Sequence, residues 1–247
     1  MIALYLIIVF IVSYLIGNIN FARIFAHWFS KRDITSIGSK NPGTMNMLRT
    51  HGFAPAVLTL VFEAIKCGGP AIASYYLIGT FFPGFGDLAY FIAGFGAILG
   101  HCFPVFYKFK GGKGVACAFG MFLFHPACWW VSLIAFVVCF VLFLFIQYPF
   151  IISHIFLVTL CIYSTCVFHF WQIEQSMWVI LLVWLTLLLI LFMHRGNIVR
   201  LVKGKENKVN LREKLFKKKK NESDEVSPEV AINVEATNEN EKEEKDQ

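Results

Sequence analysis

Residues 87–119 read DLAYFIAGFGAILGHCFPVFYKFKGGKGVACAF. An apolar run of helix length breaks at KFKGGKG, Lys108 to Gly114, and the apolar pattern then resumes. Lysine is costly to bury and glycine is a poor helix former, so the interruption is not a continuation of either helix. Apolar runs of roughly 17 to 25 residues, the length that crosses a bilayer, recur on both sides of it. The chain is 57% hydrophobic and 15% charged, with a mean hydropathy of +0.63, which excludes an ordinary soluble domain. These runs predict an all-α polytopic membrane protein with about seven transmembrane helices, some of them broken or short.

The spans are expected at 2–22, 53–82, 87–106, 115–130, 131–147, 149–171 and 173–193. The first meets no basic residue before Arg23, so it lacks the positive start of a cleaved signal peptide and reads as a retained span. The second is over-long and interrupted by CGGP (Cys67–Pro70), which suits a tilted helix or a helix with a re-entrant piece. HPA (His125–Ala127) allows an earlier junction between the fourth and fifth. With seven spans, 21 of the 22 lysines and arginines fall on one face, and PGFGD, HPAC and QIEQS opposite carry none. The positive-inside rule makes the basic face cytoplasmic, with the N-terminus outside and the C-terminus inside. The exception is Lys66, three residues after Glu63 on one helix face. An intramembrane pair of this kind marks either a functional site or a buried structural support.

The net charge of +6 conceals an asymmetry. Residues 1–206 form the transmembrane domain, and 207–247 a charged cytoplasmic tail. Its acidic stretch 221–247 has the composition of a solvated, disordered segment. Lys217–Lys220, just before it, either attracts anionic headgroups or simply marks the cytoplasmic side. Seven cysteines at irregular spacing, without a CxxC, argue against a disulfide framework or a zinc site.

Three polar segments share the basic face: GSKNPGTMNMLR (38–49), GHCFPVFYKFKGGKG (100–114) and HRGNIVRLVKGKE (194–206). In the second, Gly111, Gly112 and Gly114 free the backbone to turn N–H groups toward one centre, directly before an apolar helix. A helix start favours an anion, and Lys113 adds a full charge. The chemistry indicated is phosphate binding; the alternative is a plain loop with topology-setting lysines. It is not a Walker loop, because GxxxxGK[ST] is absent. The first segment offers Ser39, Asn41, Asn46 and Arg49, whose guanidinium can grip a phosphate with two bonds. The third offers His194, Arg195, Asn197 and Arg200, with a histidine suited to general-base work. Taken together, the segments suit a reaction between two phosphorylated molecules.

These segments resemble the three motifs of the bacterial acyl-phosphate-dependent glycerol-3-phosphate acyltransferases, the PlsY family. The second motif matches through Gly100-His101, Phe103–Phe106 and Phe109–Ala116, and the third through His194-Arg195, Asn197-Ile198, Arg200-Leu201, Gly204 and Glu206. The first keeps Gly38, Ser39, Asn41, Gly43, Asn46 and Arg49, but Lys40 replaces a glycine and Thr44-Met45 an Ala-Thr. The family's Asp-x-x-Lys-Gly appears as Glu63-x-x-Lys66-Cys67.

The resemblance implies transfer of an acyl group from acyl phosphate to the C1 hydroxyl of sn-glycerol 3-phosphate, in phospholipid biosynthesis. It implies catalytic work for Ser39, His194 and Asn197. It implies substrate phosphate contacts for Asn46, Arg49, His101, Lys110, Gly111, Gly112, Lys113 and Gly114. Glu206, Glu63 and Lys66 would give structural support. The base is His194 or a substrate phosphate oxygen. No cofactor and no metal is required. The implied partners are the two substrates and membrane lipids, not nucleic acid, with functional coupling to acyl-phosphate-forming and second-step acyltransferase enzymes. The implied location is a bacterial plasma membrane, with the site facing the cytoplasm.

Two rival readings have weaker support. The His-x₄-Asp of other glycerolipid acyltransferases and the GxSxG of serine hydrolases are both absent. A transporter of an organic phosphate would suit broken helices and the Glu63–Lys66 pair. The polar segments, however, gather on one face and no inverted repeat is evident.

Overall fold

The computed structural model describes residues 1–171 and 174–212, and every regular element among them is helical. The helices are α1 (Ile2–Gly17), α2 (Phe21–Ser30), α3 (Thr44–Thr50), α4 (Phe53–Phe81), α5 (Gly86–Cys102), α6 (Val115–Leu123), α7 (Trp129–Phe145), α8 (Pro149–Phe170), α9 (Ser176–Met193) and α10 (Arg195–Val202). They belong to one compact unit, Met1–Leu211, and Arg212–Gln247 groups separately. The expectations for Lys217–Lys220 and for the acidic stretch 221–247 lie outside the described residues, as do Gln172 and Ile173 of the QIEQS connection.

Among the described residues, five helical stretches are long and apolar enough to cross a membrane: Ile2–Ser30, Phe53–Phe81, Gly86–Tyr107, Pro149–Phe170 and Ser176–Met193. α7 adds a shorter apolar helix of 17 residues. The protein is a multi-pass membrane protein.

The boundaries differ from expectation in three places. Within the first stretch, helix α1 ends at Gly17, and the chain breaks at Asn18–Asn20 before α2 begins. Asn20 causes the restart: its side-chain oxygen accepts from the N–H of Arg23 at 2.9 Å and caps the new helix. α4 runs unbroken through Pro70, so no re-entrant piece exists there. Proline removes one ladder bond, and such losses inside membrane helices are made good locally. The third difference is the largest. Residues 115–130 are not one helix: α6 stops at Leu123 after nine residues, roughly 13 Å at 1.5 Å per residue. Pro126 cannot extend it. His125 instead turns into a cage of rings, with centroids of Tyr90, Phe91 and Phe168 at 4.6, 5.2 and 5.4 Å, and its Nε2 lies 3.0 Å from Asp87.

Long-range contacts give the direction of each segment. Lys113, before α6, meets Asn197, after α9. His125, after α6, meets Asp87 at the start of α5. The N–H of Val209 donates to the carbonyl of Gln147, between α7 and α8, at 2.8 Å. α6, α7, α8 and α9 therefore alternate in direction, and α6 is short because it stops at Leu123, before the turn at His125 and Pro126. Gly114 lies against Cys102 and Ile98 of α5 and Ile190 of α9.

The centre is built on close approach of backbones, as small residues allow in membrane bundles. A Cβ on Gly17 would lie 2.2 Å from the carbonyl oxygen of Ala97, and one on Gly100 would lie 2.1 Å from that of Tyr14. α1 and α5 thus touch along a seam, and Tyr14 donates its hydroxyl to the carbonyl of Phe103 at 2.8 Å. Gly17→Val should prise the seam open at a cost of about 1–3 kcal/mol, read as a lower thermal midpoint of the detergent-solubilised protein. Gly69→Ala, where an added Cβ meets open space, should leave the midpoint unchanged or slightly raised.

Candidate active site

The three polar segments come together at one end of the bundle. In the first, Asn46 opens α3 and is buried, and its amide is fully used within the chain. Nδ2 donates to the carbonyls of Ile34 and Ile37 at 3.0 Å each, and Oδ1 accepts from the N–H of Ser39 at 2.7 Å. Asn46 therefore latches the loop that carries Ser39; its polar atoms are spent on the loop, not aimed at a ligand. Ser39 itself is exposed. Lys40, the departure from the family glycine, has φ of 59°, the left-handed region where glycine is comfortable and a lysine is strained. The Thr44 hydroxyl is buried without a hydrogen-bond partner.

In the second segment only Gly114, among its loop glycines, has a left-handed backbone, with φ of 83°. Gly111 and Gly112 are glycine for a different reason. A Cβ at Gly111 would lie 2.0 Å from the carbonyl oxygen of His101, and one at Gly112 would lie 2.1 Å from His101 Nε2. The N–H of Gly112 donates to that same carbonyl at 3.1 Å. The loop therefore rests on the end of α5, and Lys113 follows directly. Lys110 is exposed on the preceding turn.

Lys113 donates its ammonium to Oδ1 of Asn197, on α10. Asn197 Nδ2 donates to Glu206 Oε1 at 2.6 Å, and Arg200 Nε donates to Glu206 Oε2 at 3.0 Å. Glu206 thus binds a cation and an amide at once. Arg49 reaches the same strand of chain, donating to the carbonyl of Asn207 at 3.4 Å. Burial pushes the Lys113 ammonium down to about 8, with the positive charge of Arg200 next in effect and that of Arg49 weaker. Burial lowers the Arg49 guanidinium as well. Arg200, three residues after Asn197 on the same helix face, joins the cluster through Glu206.

His194 sits at the α9–α10 joint and is buried. Its Nδ1 lies 2.8 Å from the carbonyl of Ile190, which can only accept, so Nδ1 carries the proton and Nε2 a free lone pair. Burial, and then the charge of Lys113, hold its pKa down to about 3. The ring is neutral throughout the physiological range. Beside it, Phe150 and His154 line an apolar groove of about 500 Å³ together with Leu191 and Val158.

His101 lies elsewhere. It is buried beside Glu63 and Lys66, with Nδ1 at 3.0 Å from both Glu63 Oε2 and Lys66 Nζ. Glu63, His101 and Cys117 converge closely enough to hold a metal ion. The Lys66 ammonium, 2.6 Å from the same carboxylate oxygen, already supplies the positive charge there.

The family described as glycerol-3-phosphate acyltransferase matches residues 7–204 of this chain. The chain belongs to this family. A relative from Finegoldia magna, named glycerol-3-phosphate acyltransferase, is 34% identical over 207 residues, covering 83% of this chain and 97% of the relative. One of the same name from Neisseria meningitidis is 37% identical over 202 residues, covering 80% and 94%. A solved structure of PlsY, an integral membrane glycerol 3-phosphate acyltransferase in its glycerol 3-phosphate form, superimposes with a TM-score of 0.71 at 29% identity. It covers 86% of this chain and 99% of that one. A lysophosphatidic acid form of PlsY superimposes with a TM-score of 0.69. This acyltransferase family membership fits a site that gathers Lys113, Arg49 and Arg200 around Asn197 and Glu206.

Two outcomes test the geometry. Lys113 loses its proton as pH rises through about 8, so its attraction for a dianion falls with it. The KM for glycerol phosphate should therefore climb above that pH in steady-state assays, while Lys113→Arg should move the rise to higher pH. Lys40→Gly should be tolerated with an equal or slightly higher thermal midpoint. Gly38→Ala, whose Cβ would lie 2.3 Å from Asn46 Oδ1 at φ of 58°, should lower both midpoint and activity.

Proposed function

We propose that the chain transfers an acyl group from acyl phosphate to the C1 hydroxyl of sn-glycerol 3-phosphate, giving lysophosphatidic acid and inorganic phosphate in phospholipid synthesis. The observation that carries this reading is the convergence of Lys113, Arg49 and Arg200 with Asn197 and Glu206. The printed names of the relatives support the acceptor: they are glycerol-3-phosphate acyltransferases, and PlsY has been solved with glycerol 3-phosphate and with lysophosphatidic acid.

In this reading Lys113 and Arg49 hold the phosphates, and the N–H groups at the start of α6 face the same anions. The acceptor oxygen attacks the acyl carbonyl carbon, the bond from that carbon to the phosphate oxygen breaks, and phosphate departs with the electron pair. An acyl phosphate is already activated, so the protein's work is alignment, worth roughly 7–11 kcal/mol of barrier in well-oriented systems. His194 Nε2 is well placed to accept a hydrogen bond and poorly suited to keep a proton, since its pKa is held at about 3. We assign it to orienting the acceptor hydroxyl, and the proton to a phosphate oxygen. Ser39, exposed on its latched loop, completes the hydrogen bonding to the reacting groups, and Asn197 acts on them by holding Lys113 in place. The apolar groove beside His154 suits the acyl chain.

The orientation proposed is N-terminus outside and site facing the cytoplasm of a bacterial plasma membrane, with α6 as the short member of seven passes. The gathering of the basic residues on one face supports it. Residues 207–247 would form a cytoplasmic tail. Upstream, an enzyme must form the acyl phosphate; downstream, another acyltransferase must take up the product.

Membranes containing the protein, given acyl phosphate and labelled glycerol 3-phosphate, should release lysophosphatidic acid without ATP, CoA or acyl carrier protein. Lys113→Ala and Arg49→Ala should each cut kcat/KM by about 10- to 150-fold, the equivalent of one charge-assisted bond at about 1.5–3 kcal/mol. Undiminished activity in both would sink the site assignment, and unchanged label accumulating inside vesicles would favour transport. If His194 only orients, the acidic limb of the rate should follow the second ionisation of glycerol phosphate, near about 6, and should persist in His194→Asn.

A further inference from the structure

We propose that Glu63, Lys66 and His101 form a positioning platform beneath the glycine loop, fixing where Lys113 stands rather than touching substrate. The proposal rests on the reading that Lys113 grips the glycerol phosphate.

All three side chains are buried, with 1%, 5% and 4% of their surface exposed. Their polar atoms are shared among four separate pieces of chain. Glu63 Oε1 accepts from the N–H of Phe21 at the start of α2 at 2.9 Å. Lys66 donates to the carbonyls of Gly17 and Ile19, across the break between α1 and α2. Glu63 Oε2 takes Lys66 Nζ at 2.6 Å and His101 Nδ1 at 3.0 Å, and Cys117 of α6 reaches it at 3.5 Å. Lys66 Nζ, 3.0 Å from the same Nδ1, spends its three protons on Glu63 and the carbonyls of Gly17 and Ile19, so Nδ1 donates to the carboxylate and the opposite ring edge, Nε2, turns to the loop. Gly112 lies against that edge, where a Cβ would come within 2.1 Å of Nε2. On its other side the same Cβ would lie 2.9 Å from the carbonyl oxygen of Pro42. Pro42 is in turn held by Asn20 Nδ2 at 3.2 Å.

The imidazole edge, Gly112 and Pro42 therefore form a stack, with the first motif above and the ion network below. Stability alone does not call for such a network, since buried ion pairs can often be replaced by apolar residues without loss. A site that must hold its groups within about 0.5 Å does call for it, because a loop gains that precision only from a rigid support.

The test is a double-mutant cycle in the full chain, with kinetics in both substrates and thermal midpoints. His101→Asn keeps a donor for Glu63 and removes the ring edge; Gly112→Ala drives a methyl into that edge. Each single variant should raise the KM for glycerol phosphate about tenfold or more, with the KM for acyl phosphate changed less than threefold. In the double variant the methyl enters the vacated space, so its KM should be no worse than the poorer single variant, instead of about a hundredfold raised. Removing both charges together, by Glu63→Gln with Lys66→Met, should raise the same KM about fivefold or more in protein that still folds. Multiplying effects in the cycle, or His101→Asn with both KM values unchanged, would overturn the platform. An equal rise in both KM values would overturn it too. Lys113→Ala separates the two failures. If it leaves the glycerol phosphate KM unchanged, the phosphate assignment falls and takes the platform with it. If it raises that KM while His101→Asn does not, only the platform falls.

Discussion

Lys113 is held half-buried beside two guanidinium groups, and the rest of the site follows from how the chain tolerates that. Three like charges drawn together at the edge of an apolar bundle repel one another, and burial weakens the hold of the lysine on its proton. Glu206 offsets part of this through Arg200 and Asn197. What remains is an unmet demand for negative charge. In the proposed reaction an incoming phosphate would relieve the repulsion that folding built in, concentrating binding energy where the anion sits. Uniform burial of the same residues in an apolar core would have gained nothing.

The supports of this cluster differ in kind. Lys113 stands on a loop, but its loop is backed by α5, and its partner Asn197 belongs to a helix. The first motif is tied down from within by the Asn46 amide. Where α1 breaks before α2, the carbonyls of Gly17 and Ile19 receive the Lys66 ammonium from α4. Packing of small residues in the membrane interior and charge placement at its surface are thus one construction.

Much of this was legible in the chain itself. The apolar runs announced a helical membrane protein, and the three polar segments announced the residues that meet. Span ends were less legible. Hydropathy could not see that α6 stops at Leu123, because the residues after it, Phe124 to Trp130, stay apolar while His125 and Pro126 turn the chain. Pro70 pointed to a break in α4 that its neighbours remove. Composition also misjudged the purpose of individual residues. Gly111 and Gly112 looked like freedom for the backbone, and their actual constraint is a contact with His101. Asn46 looked like a ligand and is a latch. Such roles depend on which distant residue arrives alongside, and spacing along one segment does not encode that.

The start of α6 has a consequence for traffic. Gly114 lies beside Ile98 and Cys102 of α5 and Ile190 of α9, within about one turn of the ends of both helices, so the proposed site lies at the edge of the bundle. In the proposed reaction a water-soluble acceptor would enter from the aqueous side and an acyl donor from the bilayer. The two products of that reaction would part along the same routes, free phosphate to water and the acylated product into the plane of the membrane. A helix that starts at the edge of the bundle would thereby make a junction between a three-dimensional pool and a two-dimensional one.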